Sequence, residues 1–116
     1  MAEYVVDTDV LIDHLRREHV FDPGEDHVSY SVVTRCELFA GRATDEDVVG
    51  VLLSTLRELV VDRPVAEAAG RIRRQTGIAT PDALIAATAL EHDLPLMTRN
   101  HSHFKRVPGL IVSAPS

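Results

Sequence analysis

The run Tyr4-Val5-Val6-Asp7-Thr8-Asp9-Val10-Leu11-Ile12-Asp13 constrains this chain more than any other stretch. Three β-prone residues sit together without alternation, the pattern of a buried strand. Val10, Leu11 and Leu15 then return at helical spacing, so a helix is expected to begin near Thr8 or Asp9. Asp7 therefore falls where the carboxyl end of a strand turns into a helix. In open α/β sheets that edge is where ligands bind. Taken alone, Asp7 or Asp9 is better explained as a helix cap. The balance changes because the same arrangement recurs twice downstream.

The order of the remaining elements supports such a sheet. Residues 16–26 are polar, carry Pro23-Gly24 and read as a loop. Residues 27–31 read as a strand and 32–41 as a helix that Gly41 stops. The apolar positions Val48, Val49, Leu52, Leu53, Leu56 and Leu59 fit a 3.6-residue period, which predicts a helix over 45–59. A short strand is expected at 59–61. A helix over about 64–76 follows, with Pro64 in its first turn and Gly77 past its end. Thr80 and Pro81 then introduce an apolar helix over 83–91, with Thr80 as its cap. Residues 94–98 read as the fourth strand, 100–106 as a polar turn or short helix, and 110–112 as the fifth strand. Strands alternating with helices imply an α/β fold: one domain over 1–116, a parallel sheet with helices on both faces. The absence of Trp and the scarcity of aromatics leave a core of Val, Leu, Ile and Ala, which suits that class.

Two further acids stand at equivalent points. Glu37 lies one turn into the helix after the second strand, and Asp82 lies in the first turn of its own helix. Each has a local explanation: a capping box from Thr34 to Glu37, and a favourable helix-dipole interaction for Asp82. Parallel strands, however, bring every strand-to-helix turn to one edge, so Asp7, Glu37 and Asp82 should converge. Three carboxylates held together repel one another, and a divalent cation is the expected remedy. Hard oxygen ligands select Mg²⁺ or Mn²⁺, and Cys36 alone offers no zinc-type spacing. Such a cation commonly serves phosphate chemistry. No Gly-rich phosphate loop and no Ser-His-Asp or Cys-His pattern competes.

Four blocks together carry a family resemblance. Asp7-Thr8-Asp9, Ser31-Val-Val-Thr34-Arg-Cys-Glu37-Leu38-Phe-Ala-Gly41, Asp82-Ala-Leu-Ile-Ala-Ala-Thr88-Ala-Leu and Leu96-Met-Thr98-Arg99-Asn100 occur in that order. The chain resembles PIN-domain endoribonucleases of the VapC toxin type over nearly its whole length. The resemblance implies a five-stranded parallel sheet, RNA cleavage dependent on Mg²⁺ or Mn²⁺, homodimerisation and inhibition by a cognate antitoxin. It also implies that Asp7, Glu37 and Asp82 are metal-binding catalytic acids and that Thr8 and Asp9 orient the first acid and waters. One departure stands out. The family often supplies a fourth acid within residues 98–104, whereas this chain has Asn100 and His103 at candidate places and no carboxylate.

Thr98, Arg99 and Asn100 complete the expected substrate or water contacts. Arg99 is the favoured phosphate contact, with an ordinary exposed arginine as the alternative. Arg71, Arg73 and Arg74 read first as a solvated helix face, with contact to RNA as the alternative, and His101 and His103 as surface residues, with proton relay by His103 as the alternative. Cys36 reads as a small core residue. Surplus apolar residues Val48, Val51 and Phe39 suggest a partner surface. The net charge of −6 argues against nucleic-acid binding by bulk charge, though not against a local basic rim. The lone cysteine suits a reducing cytoplasm. No apolar run is long enough to span a membrane, and Asp7 and Asp9 interrupt the N-terminal run that a signal peptide would need. Two rival readings stand: a receiver-type phosphoacceptor domain using Asp62 with Lys105, and a PIN-like RNA-binding or interaction module with impaired catalysis.

Overall fold

The computed structural model describes residues 2–115 and is organised around its first strand. β1 (Glu3–Val6) pairs in parallel with β2 (His27–Ser31) on one side and with β4 (Leu96–Met97) on the other. β3 (Arg57–Leu59) lies outside β2, and β5 (Val112–Ser113) outside β4, giving the all-parallel order β3-β2-β1-β4-β5. The chain winds outward through β1, β2 and β3, then crosses back to build β4 and β5. The reversal falls between β1 and β4. Ligand crevices in such sheets open at the carboxyl ends of the two strands flanking that point. Asp7 follows β1 there, and Thr98 follows β4. The Asp7 N–H donates to the Met97 carbonyl at 2.8 Å, which fixes the two strand ends side by side.

Helices cover both faces, as the sequence implied. Val5 packs with α4 (Arg63–Thr76) and α5 (Thr80–Glu91), together with Phe104 and Val107. Tyr4 and Val6 point the other way, into a second cluster with Val10 and Leu11 of α1 (Thr8–Leu15), Leu38 of α2 (Val32–Phe39), and Val49 and Leu53 of α3 (Glu46–Ser54). A strand covered on both sides has no reason to alternate, which explains the unbroken apolar run. Val5 and Val6 are wholly buried, each contributing on the order of 1.5–3 kcal/mol of transfer free energy. α5 is apolar nearly all round and buries four alanines, Ala83, Ala86, Ala87 and Ala89, so α4 approaches it closely. A short α6 (His101–Phe104) follows β4 at the same carboxyl edge. Among the described residues, no helix is long and apolar enough to cross a membrane.

Several local expectations are corrected. α3 ends at Ser54, because the Ser54 and Thr55 hydroxyls turn back onto the carbonyls of Val51 and Leu52. The third strand accordingly begins at Arg57 and ends at Leu59. Leu59 pairs with Ser31, while Val60 is 60% exposed. The fifth strand is shifted to Val112–Ser113, since the pairing partners of Leu96 and Met97 lie there and Ile111 points to solvent. Thr80 is the first helical residue of α5, not its cap; Ala79 holds the cap position without a side-chain bond. Cys36 is exposed on α2, facing away from both clusters. Asp62, the phosphoacceptor of the rival reading, caps α4 by accepting from the Val65 N–H at 3.1 Å. The strand order also differs from the 2-1-3-4-5 order of receiver folds, so that rival is set aside.

Candidate active site

Asp7 sits at the switch point, only 5% exposed. One carboxylate oxygen, Oδ1, accepts from the Thr8 N–H at 2.8 Å, so Asp7 does cap α1. The other, Oδ2, accepts from the Thr98 hydroxyl at 2.8 Å. Burial pushes the Asp7 carboxyl up to about 7; the charges of Asp9 and Asp82 add to the rise, and the Thr98 and Thr8 donors oppose it. Asp9, half-buried in the first turn of α1, is also raised, chiefly by burial. Its carboxylate accepts from the Arg99 N–H at 3.2 Å and stands 3.3 Å from the Thr98 hydroxyl. Thr98 in turn accepts from the Asn100 N–H at 3.0 Å.

Thr8 links the first acid to the second. Its N–H serves Asp7, while its hydroxyl donates to Glu37 Oε1 at 2.7 Å. A hydroxyl has one proton, so the Thr34 hydroxyl, 2.9 Å from that of Thr8, must be the donor of that pair. The capping-box explanation of Glu37 is therefore overturned. Ser31 caps α2 through the Val33 N–H, and Glu37 reaches across to α1 instead of back along its own helix. Thr34, noticed in the sequence only as half of that box, is a wholly buried support of Thr8.

Asp82, in the first turn of α5, faces His103 of α6, whose Nε2 lies 3.0 Å from Asp82 Oδ2. His103 was expected on the surface, yet of the two residues at candidate fourth-acid places it is the one whose side chain meets an acid. The Asn100 side chain makes no hydrogen bond among the described residues, and its backbone alone enters the network. Arg99 presents a second surprise. Its Nε is bonded to Asp13 Oδ2 at 2.7 Å, so its charge is met by a carboxylate that sequence reading had not marked. The (i, i+4) spacing of Asp9 and Asp13 on α1, which aims both acids at residue 99, was the available signal.

The structure thus gathers Asp7, Thr8, Asp9, Glu37, Asp82, Thr98, Arg99 and Asn100 along one edge. It does not close the acids into a ligand shell. Among the described residues, no three His, Cys, Asp or Glu side chains stand close enough to enclose an ion, since Glu37 is turned to Thr8 and Asp82 to His103. The donor chemistry nevertheless fits a hard divalent cation. Asp7 is a buried carboxyl raised by its surroundings, its direct partners are neutral donors, and the neighbouring charges that act on it are acidic. Beside this edge, a cleft of about 280 Å³ opens between α1, α2 and α3; Glu37 stands on its wall, among Ile12, Leu15, Leu38 and Val48.

Comparison with known proteins agrees with this geometry. The family model of the PIN domain matches residues 4–110. Ribonuclease VapC19 of Mycobacterium tuberculosis is 32% identical over 120 residues, spanning 91% of this chain and 95% of that protein. A toxin–antitoxin complex from Klebsiella pneumoniae contains a chain that superposes with a TM-score of 0.80 at 28% identity, covering 93% of this chain and 95% of that one. VapBC2 of Rickettsia felis, solved bound to a DNA fragment from its promoter, gives 0.82 at 19% identity over 98% and 99% of the two chains, a likeness of fold.

Proposed function

The chain belongs to the PIN domain family, and from that premise we propose that it is a metal-dependent endoribonuclease, the toxin of a toxin–antitoxin pair, folded as one nuclease domain over residues 1–116. One observation carries the reading. The buried Asp7 carboxyl lies at the switch point, Thr8 joins it to Glu37, and Asp9 and Asp82 lie within range of its charge. The similarity to ribonuclease VapC19 supports the activity, and the similarity to the Klebsiella toxin–antitoxin complex supports the role.

Asp7, Glu37 and Asp82 are the catalytic acids and the residues that would hold Mg²⁺ or Mn²⁺; their oxygens suit either ion. Bound there, the cation would supply a Lewis acid for a phosphoryl oxygen and lower the pKa of the attacking water. The protein's own part is positioning. Thr8 and Thr98 lock both Asp7 oxygens and favour the charged form. Thr8 aims Glu37, with Thr34 behind it. Asp9 anchors the Arg99 backbone, and Thr98, Arg99 and Asn100 line the side on which water and substrate enter. His103 holds the Asp82 carboxylate from the side.

The partners are RNA as substrate, a cognate antitoxin, and a second copy in a homodimer, all in the cytoplasm. The exposed Phe39, Val48 and Val51 on α2 and α3 are more apolar surface than a free helix pair needs. A protein segment lodged in the neighbouring cleft would lie against Glu37 and could block the site. Cleavage of RNA by the purified protein tests the whole reading. Cleavage is expected with Mg²⁺ or Mn²⁺, is lost in EDTA, and is poorly supported by Ca²⁺, which prefers more ligands at longer distances. Asp7→Asn, Glu37→Gln and Asp82→Asn should each abolish it while the fold persists. Undiminished cleavage in excess chelator overturns the metal mechanism. RNA binding without cleavage in any metal would favour the impaired module.

A further inference from the structure

An edge carrying Asp7, Asp9, Glu37 and Asp82 repels the phosphates of RNA, so the substrate needs cations placed beside it. Arg99 is tied to Asp13 and Arg35 to Glu58. Two other arginines are held differently. Arg73 Nε donates to the Ile78 carbonyl at 3.1 Å, and Arg106 Nη2 donates to the Thr76 carbonyl. Both guanidinium groups therefore bracket residues 76–78, the link from α4 into α5, and Asp82 stands four residues beyond Ile78. His103, three residues before Arg106, bonds Asp82, so the segment that carries Arg106 also meets the start of α5.

We propose that Arg73 and Arg106 form a phosphate-binding pair that grips the sugar–phosphate backbone of single-stranded RNA next to Asp82. The inference rests on the ribonuclease reading. Each arginine spends an N–H on a neutral carbonyl, and neither takes part in an ion pair among the described residues. A guanidinium has five N–H donors, so most stay available, and the charge is uncompensated. Both side chains are exposed, and Lys105 beside Arg106 is exposed as well. The carbonyl bonds fix each planar fork without cancelling its charge, the form that suits bidentate phosphate contact. In a chain of net charge −6, two fixed and unpaired guanidinium groups on one link make a local anion site that bulk composition conceals.

Fluorescence anisotropy with a short single-stranded oligoribonucleotide in EDTA reads binding without cleavage. Glutamine keeps an N–H for the carbonyl but removes the charge; lysine keeps the charge. Arg73→Gln and Arg106→Gln should each weaken binding about fivefold at 0.1 M salt and reduce the slope of log Kd against log salt by about 0.7. Arg73→Lys and Arg106→Lys keep the charge but lose the planar fork, so they should restore the salt slope and part of the affinity. Arg57→Gln, at the amino end of β3 on the opposite edge, should change nothing. Thermal melts identify any variant that fails through loss of fold. Glutamine variants that bind with wild-type affinity and slope overturn the proposal, as do lysine variants no better than glutamine. A wild-type protein that neither binds nor cuts RNA overturns the ribonuclease reading, and this inference with it.

Discussion

Asp7→Asn should stabilise the metal-free protein above neutral pH while abolishing activity. The Asp7 carboxyl rises from its ordinary 3.8 to about 7 on folding, chiefly because it is buried. At about 1.4 kcal/mol per pH unit, keeping it charged in the fold costs about 4 kcal/mol. The folded state holds its proton more tightly than the unfolded chain. Between pH 3.8 and about 7 the folded form alone keeps that proton, so stability falls as pH rises and is level above pH 7. Asparagine does not titrate and escapes the loss. Its Oδ1 can still accept from the Thr8 N–H, and its Nδ2 can donate to the Thr98 hydroxyl, whose own proton is then free for Asp9. The value of about 7 already includes the Thr98 and Thr8 bonds, so the gain at pH 8 is the whole of about 4 kcal/mol, or about 16 °C in Tm for a domain of this size. At pH 5 the difference should shrink to about 2 kcal/mol or less. Urea denaturation in EDTA at both pH values reads the difference. A variant no more stable than wild type at pH 8, or an offset equal at both pH values, refutes the reasoning. Added Mn²⁺ should stabilise the wild type and leave the variant unmoved.

The remaining expectations concern separate parts of the molecule. Calorimetric Mn²⁺ titration should find one site at most in the wild type without RNA and tighter binding in His103→Asp, whose side chain begins beside Asp82; Asn100→Asp should change little, and the reverse ranking would put the fourth-acid place at residue 100. Light scattering should give about twice the 12.8 kDa chain mass, and Val51→Glu, at a position 69% exposed, should shift it towards monomer; a monomeric wild type at micromolar concentration refutes the dimer. Gly77→Ala should cost about 1 kcal/mol in chemical denaturation. Gly77 closes α4 at φ 75°, and among the described residues no atom beyond its chain neighbours lies within 4 Å of the added methyl, so the cost is backbone conformation; a neutral result would contradict it.

Much of the architecture is legible in the residues themselves. Apolar runs without alternation require strands covered on both faces, and strands separated by helices require parallel pairing, so a carboxyl edge follows from order alone. Asp7, Glu37 and Asp82 are found by that logic because each sits just past a strand or within the first or second turn of a helix. Element ends are less legible. Residues 56–61 are apolar enough to extend either α3 or β3, and only pairing with β2 decides that Leu59 is the last strand residue.

The sequence by itself determined which edge would carry the acids, because period and order are local properties of the chain. Tertiary structure alone decided what each acid touches. Thr8 meets Glu37 across 29 residues, Thr98 meets Asp7 across 91, and His103 meets Asp82 across 21. No local propensity encodes such pairs; they follow from which helices and strands the sheet order sets side by side. The same holds for the arginines. Their charges are equal in sequence, but Asp13 neutralises Arg99, while carbonyls hold Arg73 and Arg106 with their charge intact. Packing brings a carboxylate to one and a neutral oxygen to the others, and that alone separates a structural cation from one free to meet a phosphate.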